Sequence, residues 1–416
     1  MVAVSAVLPV LQRIQPVLFG AGRKKDADTE PNSGAPRGSK VRLWKQDPTV
    51  EAIGIRTAWL PDNVQAGPKD EFIEIRNMRR ATPNENGDFL YDNATHPNEF
   101  DAVHTFSVVR KVLTMFQRAL NRMGVTDHFG WQWDDGTPLK VYPHAGETAN
   151  AYYTRQGKSL KFFYITPNHD ISKRVYTARS FDIVAHESGH AVLDSLKPGW
   201  MESWHPQTGG MHESFGDLSA IFNMLAQLDM CEAIITESKC NLHDKSFFPQ
   251  LAEQFGEALG RPMGLRNADN NLKLSDVGTE VHAISQVFTG AIYNILADEF
   301  KDSLQLGKED PAATLTRVGE HLVTNLLDAI IKSPEKNATF RDVAEKMIAL
   351  EPNPKWKDFI LQRFTEREVF GQTAAKEITP QRLDWSGTCP SLQRPEHKKR
   401  FNQAVREAKL ALQQRQ

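Results

Sequence analysis

Apolar and polar positions follow two different periods along this chain. In residues 72–76 apolar and charged positions alternate from Ile73 onward, and 139–142 and 160–165 are short runs of mostly apolar and aromatic residues, which predicts short strands. From residue 181 onward apolar positions recur every three or four residues, which predicts helices. The predicted helices cover residues 181–197, 218–230, 248–259, 282–300, 312–331, 340–350 and 356–370. This order predicts an α+β fold with a β-rich N-terminal lobe and a mostly helical C-terminal lobe.

Four segments follow from these patterns. Residues 1–48 combine an amphipathic helix with a flexible linker, and residues 49–180 form the β-rich lobe with one long helix at 100–122. Residues 181–372 form the helical lobe. Residues 373–416 form a C-terminal extension that ends in a charged, Gln-rich helix.

The helix predicted at 181–197 contains the sequence His-Glu-Ser-Gly-His at positions 186–190. On a helix, His186 and His190 lie one turn apart on the same face, so both imidazoles can reach one zinc ion. Glu187 lies beside them and is free to accept a proton. The alternative is that both histidines are ordinary polar residues of an amphipathic helix.

A zinc site needs a third protein ligand. Leu193 and Leu196 occupy the positions where a metzincin carries Gly and His, so that class is excluded. Glu213 and Asp217 lie one turn apart at the start of a predicted buried helix, with no Lys or Arg between residues 209 and 230. Two buried carboxylates are costly without a compensating cation, and a metal with its histidines would supply one.

These residues, with three further segments, resemble the thermolysin family of zinc metallopeptidases, which are gluzincins with HExxH and a downstream Glu. The resemblance implies that His186, His190 and Glu213 bind Zn²⁺. It also implies that Asp217 orients His186 through a hydrogen bond. The implied fold is a thermolysin-like zincin, with the active-site helix between the two lobes, and the resemblance covers roughly residues 72–370.

The three further segments assign other candidate residues, again by resemblance. Asn150 and Ala151 begin an edge strand against which the substrate backbone lies. Arg266 and His282 would donate hydrogen bonds to the developing oxyanion. With Glu187 as general base, the implied activity is that of a zinc-dependent endopeptidase that hydrolyses peptide bonds through a metal-activated water. Taken singly, these residues could instead be a turn Asn, a surface Arg and a core His.

The region before the third ligand departs from the family's pattern. No Tyr lies between His190 and Glu213 to serve as an oxyanion donor, although Trp204 or His205 could replace it. His212 stands where the family usually has Asn, which leaves the support of the second zinc histidine open.

The calcium pattern of the family is also incomplete. Asp182 matches a calcium-binding Asp, but the position of its usual Glu partner is Met224. We therefore expect the family's double calcium site to be absent.

The composition of the chain indicates which partners and which cellular location to expect. The 416 residues include 50 Lys and Arg against 52 Asp and Glu, so charge gives no indication of a nucleic-acid partner, and a peptide or protein substrate is expected. The three Cys lack metal-binding spacing. No apolar run reaches the length of about 18 residues that a membrane span needs. The family is mostly secreted with a long pro-segment, and too little sequence precedes the matched region here to hold one. We therefore expect a cytoplasmic protein, with secretion as the alternative. The oligomeric state stays open.

Two other functions stay open. An exopeptidase or oligopeptidase would use the same zinc chemistry, but the Gly-x-Met-Glu-Asn segment typical of aminopeptidases is absent. A catalytically weak or inactive peptidase-scaffold protein, which binds peptides or a protein partner, is favoured by the missing Tyr and by His212. The presence of Glu187 and of all three expected metal ligands favours the enzyme.

Overall fold

The structure is a computed structural model that describes residues 38–50, 53–61, 63–125, 131, 133, 138–167, 170–203, 205–252 and 266–371. Several predictions fall elsewhere in the chain. The N-terminal helix, the C-terminal extension, Trp204 and residues 253–259 of one predicted helix lie outside the described residues.

Ten strands lie in the described residues. They are β1 Ser39–Trp44, β2 Ile55–Leu60, β3 Ile73–Ile75, β4 Leu139–Tyr142, β5 Ala151–Thr154, β6 Ser159–Phe162, β7 Tyr164–Ile165, β8 Val175–Tyr176, β9 Gln250–Leu251 and β10 Arg266–Asn267. The largest sheet has the order β3-β4-β6-β5, in which β5 and β6 are antiparallel and the other pairs are parallel. The strand β5 therefore lies at one edge of this sheet.

The α-helices of the described residues come mostly after the strands. They are α1 Pro97–Arg122, α2 Phe181–Leu196, α3 Pro206–Leu225, α4 Leu228–Ser238, α5 Val281–Ser303, α6 Pro311–Lys332, α7 Phe340–Leu350 and α8 Pro354–Glu366. The mixture of helices with small sheets confirms the predicted α+β class. Capping side chains fix several starts, because Asp310, Thr339 and Asn353 each accept a hydrogen bond from an N–H of the following helix.

The sequence misplaced some elements. The helix predicted over residues 248–259 is wrong in its described part, where Gln250–Leu251 form β9 and pair with Arg266–Asn267. Leu251 is buried, so the apolar pattern there anchors a strand rather than a helical stripe. Ser180 stands at the N-cap of α2, but its hydroxyl makes no capping hydrogen bond there. Residues 39–44, assigned from sequence to the N-terminal segment, form β1.

The helices α2 and α3 approach each other closely where both carry glycine. A Cβ atom added at Gly189 would lie 2.4 Å from the Ser219 hydroxyl oxygen and 3.1 Å from the Gly216 Cα. A Cβ atom at Gly216 would lie 2.7 Å from the imidazole of His186. Only glycine at these two positions therefore allows the observed separation of the helices.

The helix α3 is enclosed by the rest of the chain, since every one of its 20 residues is buried. Among the helices described, none alone has the length and apolarity to cross a membrane. The helices α3 and α4 meet those criteria only when taken together, across a bend of 95°.

Candidate metal centre

Two helices bring three potential metal ligands together. His186 and His190 lie on one face of α2, and their Nε2 atoms are 3.0 Å apart. Glu213 projects from α3 and places carboxylate oxygens 3.6 Å from the Nε2 of His186 and 3.9 Å from the Nε2 of His190. A tetrahedral zinc ion with bonds of about 2.0–2.1 Å separates its ligand atoms by about 3.4 Å. The three observed distances bracket that separation, so this group could hold a metal ion.

The surroundings of Glu213 fit the same interpretation. The residue is buried, and neither carboxylate oxygen makes a hydrogen bond of good geometry within the described part of the chain. The atoms facing it are imidazole nitrogens, including the Nε2 of His282 at 3.2 Å. Burial raises the pKa of Glu213, but these imidazoles outweigh it and hold that pKa well below the usual range. An anionic carboxylate among three imidazoles is suited to a divalent cation.

Asp217 lies one turn after Glu213 and contacts the first histidine. Its Oδ1 is 2.8 Å from the Nδ1 of His186 and accepts hydrogen bonds from Arg266 at 2.7 and 3.1 Å. Burial lowers the pKa of His186, but the hydrogen bond with Asp217 and the nearby carboxylate of Glu213 outweigh it and raise that pKa to about 10. Arg266 also approaches the Nδ1 of His186 at 3.4 Å, so it lies behind this histidine and next to the carboxylate.

His212 supplies a partner for the second histidine. Its Nδ1 lies 3.4 Å from the Nδ1 of His190, and the two rings are stacked. Complete burial is the main reason why the pKa of His212 falls to about 3, so its imidazole is neutral at pH 7. A neutral imidazole can accept a hydrogen bond from the Nδ1–H of His190, which would leave the Nε2 of His190 for a metal.

Glu187 contacts the edge of the largest sheet. Its Oε2 accepts a hydrogen bond of 3.0 Å from the backbone N–H of Tyr153 on β5. One turn after the second histidine, Asp194 accepts a hydrogen bond of 2.7 Å from the Tyr153 hydroxyl and is paired with Arg155. Strand β5 is therefore held to α2 through its backbone and through its side chains.

The remaining predicted residues lie at the margins of this centre. The Asn150 Oδ1 accepts a hydrogen bond of 2.9 Å from the N–H of Ala151, so this side chain folds back on its own strand. His282 is held from its other side, because its Nδ1 is 2.7 Å from the Oε1 of Glu280. Glu280 is also the N-cap of α5, where it accepts from the Ala283 N–H.

Sequence reasoning missed Glu280, Tyr153 and Asp194. Glu280 lies two residues before His282, and a carboxylate that close to a candidate catalytic histidine was the signal that could have revealed it. His205 caps α3 by accepting a hydrogen bond from the Gln207 N–H. The absence of the double calcium site stays a prediction; Asp182 accepts a hydrogen bond of 3.3 Å from the Ala252 N–H.

These features define a mixed α+β protein with a buried His-His-Glu group that could hold a metal. No protein-family profile and no curated protein matches the chain. Among solved structures, it is similar to the precursor of protealysin, a metalloproteinase from Serratia proteamaculans, with 14% identity and a TM-score of 0.45. That similarity covers 83% of this chain and 91% of the other.

Proposed function

We propose that this protein is a zinc-dependent endopeptidase of the thermolysin type. The observation that supports this most is the meeting of His186, His190 and Glu213 from two helices, with all of their ligand atoms within 4.8 Å of one another. HExxH followed by a Glu on the next helix is the gluzincin arrangement. When bound, zinc supplies a Lewis acid that polarises a peptide carbonyl and lowers the pKa of a water.

Residues of this chain would transfer the protons and stabilise the negative charge that develops on the substrate. Glu187 takes the proton of the attacking water and passes it to the leaving amine, since it lies beside the ligands without belonging to the group. His282 donates from its Nε2 to the oxygen that becomes negative, and Glu280 holds the opposite nitrogen of the ring. Arg266 donates to Asp217 and through that carboxylate helps to orient His186.

The substrate would be an extended peptide. Strand β5 lies at the edge of its sheet and is joined to Glu187 through Tyr153, so a peptide that paired with this edge as an added strand would lie next to Glu187. In this arrangement Asn150 and the Ala151 backbone mark the start of the pairing segment.

The second candidate is a peptide-binding protein on a peptidase scaffold without turnover. It is favoured by the capping role of His205, which is engaged with α3 rather than presented as an oxyanion donor. The complete set of Glu187 and metal ligands favours the enzyme.

One experiment distinguishes the two. The full chain is purified, its zinc content is measured by mass spectrometry, and cleavage of unstructured casein is followed with and without a chelator. The endopeptidase proposal expects about one zinc per chain and cleavage that the chelator abolishes and added zinc restores. Zinc without any cleavage would support the binding protein, and a chain that binds no zinc would overturn the endopeptidase.

A further inference from the structure

Tyr153 connects the edge strand β5 to the helix α2 at two points. It is buried, its backbone N–H donates to the Oε2 of Glu187 at 3.0 Å, and its hydroxyl donates to the Oδ2 of Asp194 at 2.7 Å. Glu187 and Asp194 lie about two helical turns apart on α2, so they share one face of that helix. One strand residue therefore contacts both the proposed general base and a second carboxylate of the same helix.

Arg155 fixes the position of Asp194. It follows directly after β5, its Nε donates to the Oδ2 of Asp194 at 2.9 Å, and its Nη2 donates to the Oδ1. The same Nη2 donates to the carbonyl oxygen of Pro198 at 2.7 Å, beyond the end of α2. A guanidinium that contacts both oxygens of a carboxylate holds it in one orientation. The Tyr153 hydroxyl therefore meets an acceptor whose orientation is already set.

The orientation of Glu187 depends on where this strand lies. Glu187 is buried, and the donor that reaches its Oε2 belongs to the backbone, which cannot rotate away as a side chain can. In its sheet β5 has β6 as its neighbour, and Tyr153 lies opposite Leu160 there. The bonds of Tyr153 to α2 hold the other edge of β5. Loss of the hydroxyl contact would allow the strand, and with it the N–H that holds Glu187, to move relative to the helix.

We propose that Tyr153, Asp194 and Arg155 are positioning residues that hold Glu187 in place for proton transfer. The inference rests on the proposed function, since it takes Glu187 as the general base. A base must lie within about 2.6–3.2 Å of the group whose proton it takes, and a displacement of about 1 Å can cost about 10²-fold in rate. The expected effect is therefore on kcat, with zinc binding retained.

The main test is Y153F, which removes the hydroxyl and keeps the ring and the backbone N–H. The substrate is a fluorogenic peptide based on a casein site that the unmodified chain cleaves. Y153F should bind as much zinc as the unmodified chain, keep KM within about twofold and lose about tenfold in kcat, because one hydrogen bond to a charged acceptor is lost. When it is combined with E187Q, it should cause no further loss, because Tyr153 acts through Glu187.

The matched control is Y142F. Tyr142 lies on β4 of the same sheet, its ring is contacted by Lys161, and its hydroxyl makes no hydrogen bond within the described part of the chain. Y142F should therefore behave as the unmodified chain.

Hydrogen exchange follows the strand without the need for turnover. The backbone amide of residue 153 should exchange faster in Y153F than in the unmodified chain, because the strand is held less firmly. R155K should have a smaller effect in the same direction on this exchange and on kcat, since Lys cannot contact both oxygens of Asp194 as Arg does.

The outcomes separate this inference from the proposed function. Equal kcat in Y153F and the unmodified chain, a loss of zinc in Y153F, or an equal further loss in the E187Q background would each overturn the positioning role. If Y153F does not fold, R155K decides, and a kcat equal to that of the unmodified chain would overturn it. An unmodified chain that binds zinc and cleaves nothing would overturn the proposed function itself, and the positioning role with it.

Discussion

The Nδ1 atom of His186 lies 2.8 Å from the Oδ1 of Asp217, across the contact between α2 and α3. A carboxylate at Nδ1 holds one ring proton there, so a metal that binds has to displace the Nε2 proton of this imidazolium. That Nε2 is the atom that faces His190 and Glu213. The contact therefore fixes which nitrogen of His186 is offered to a metal, and Arg266 keeps the carboxylate charged.

Replacing Asp217 by Asn should lower zinc affinity about 10–100-fold, because the amide orients His186 less strongly. Competition with a chromophoric chelator measures this directly. D358N, which alters an exposed carboxylate on α8, is the control and should keep the original affinity. Equal zinc affinity in D217N would show that the Asp217 contact does not serve the metal.

Glu187 and Glu213 should separate catalysis from metal binding. E187Q should retain zinc and lose cleavage by about 10²–10⁴-fold, because an amide cannot accept the proton of water. E213A should lose the metal itself, since two histidines alone do not complete the site. Zinc content and casein cleavage are measured on both. Normal cleavage by E187Q would mean that another group is the base.

His212 should act through the second histidine. H212N, which keeps an acceptor at this position, should keep zinc affinity close to the original value. H212L, which is apolar, should lower that affinity about 10–100-fold because the Nδ1–H of His190 loses its acceptor at 3.4 Å. If H212L binds zinc as tightly as H212N, the His212 ring packs against His190 without supporting it through a hydrogen bond.

His282 should contribute to turnover and not to zinc binding. H282A should reduce kcat by about 10²–10³-fold with unchanged zinc content, because one oxyanion donor is lost. E280Q should show a smaller loss, since Glu280 holds the Nδ1 of that ring at 2.7 Å but makes no contact with substrate. A loss of zinc in H282A would instead make this histidine a ligand.

Asp101 should give the fold a measurable acid dependence. Burial raises its pKa, but hydrogen bonds with His144 and Arg179 outweigh this and lower the pKa below 3.8. A carboxyl with a lowered folded-state pKa stabilises above its unfolded pKa and ceases to do so as pH falls through the folded value. D101N should therefore cost about 3 kcal/mol of unfolding free energy at pH 7, and less as the pH falls below about 4. Chemical denaturation between pH 7 and 3 measures both. A difference that is independent of pH would contradict this assignment.

The sequence predicted the helical spans well where periodicity was long and caps were strong, as in α6 and α7. It predicted the burial of Glu213 and Asp217 because carboxylates in an apolar run without Lys or Arg imply a buried helix. The start of this helix was placed too late, at about Glu213, whereas α3 begins at Pro206. Gly209 and Gly210 are poor helix formers, and only tertiary packing offsets their cost of about 1 kcal/mol each.

Contacts between distant segments could not be read from the sequence. The hydrogen bond from Tyr153 to Glu187 joins residues 34 positions apart, and no periodicity specifies it. Gly189 lies within the HExxH sequence, but nothing in the sequence shows what it faces. The structure shows that α3 packs against it, with Gly216 and Ser219 at the contact.

The close contact of α2 and α3 at Gly189 and Gly216 has a consequence for the metal-free protein. Contact between the backbones sets the distance between the two helices. The three potential metal ligands that these helices carry are therefore held in place by the fold, without help from a metal. Proteins whose folding depends on zinc collapse under chelation. Here the protein from which a chelator has removed the metal should stay folded and unfold cooperatively on heating. It should bind metal again when metal is added.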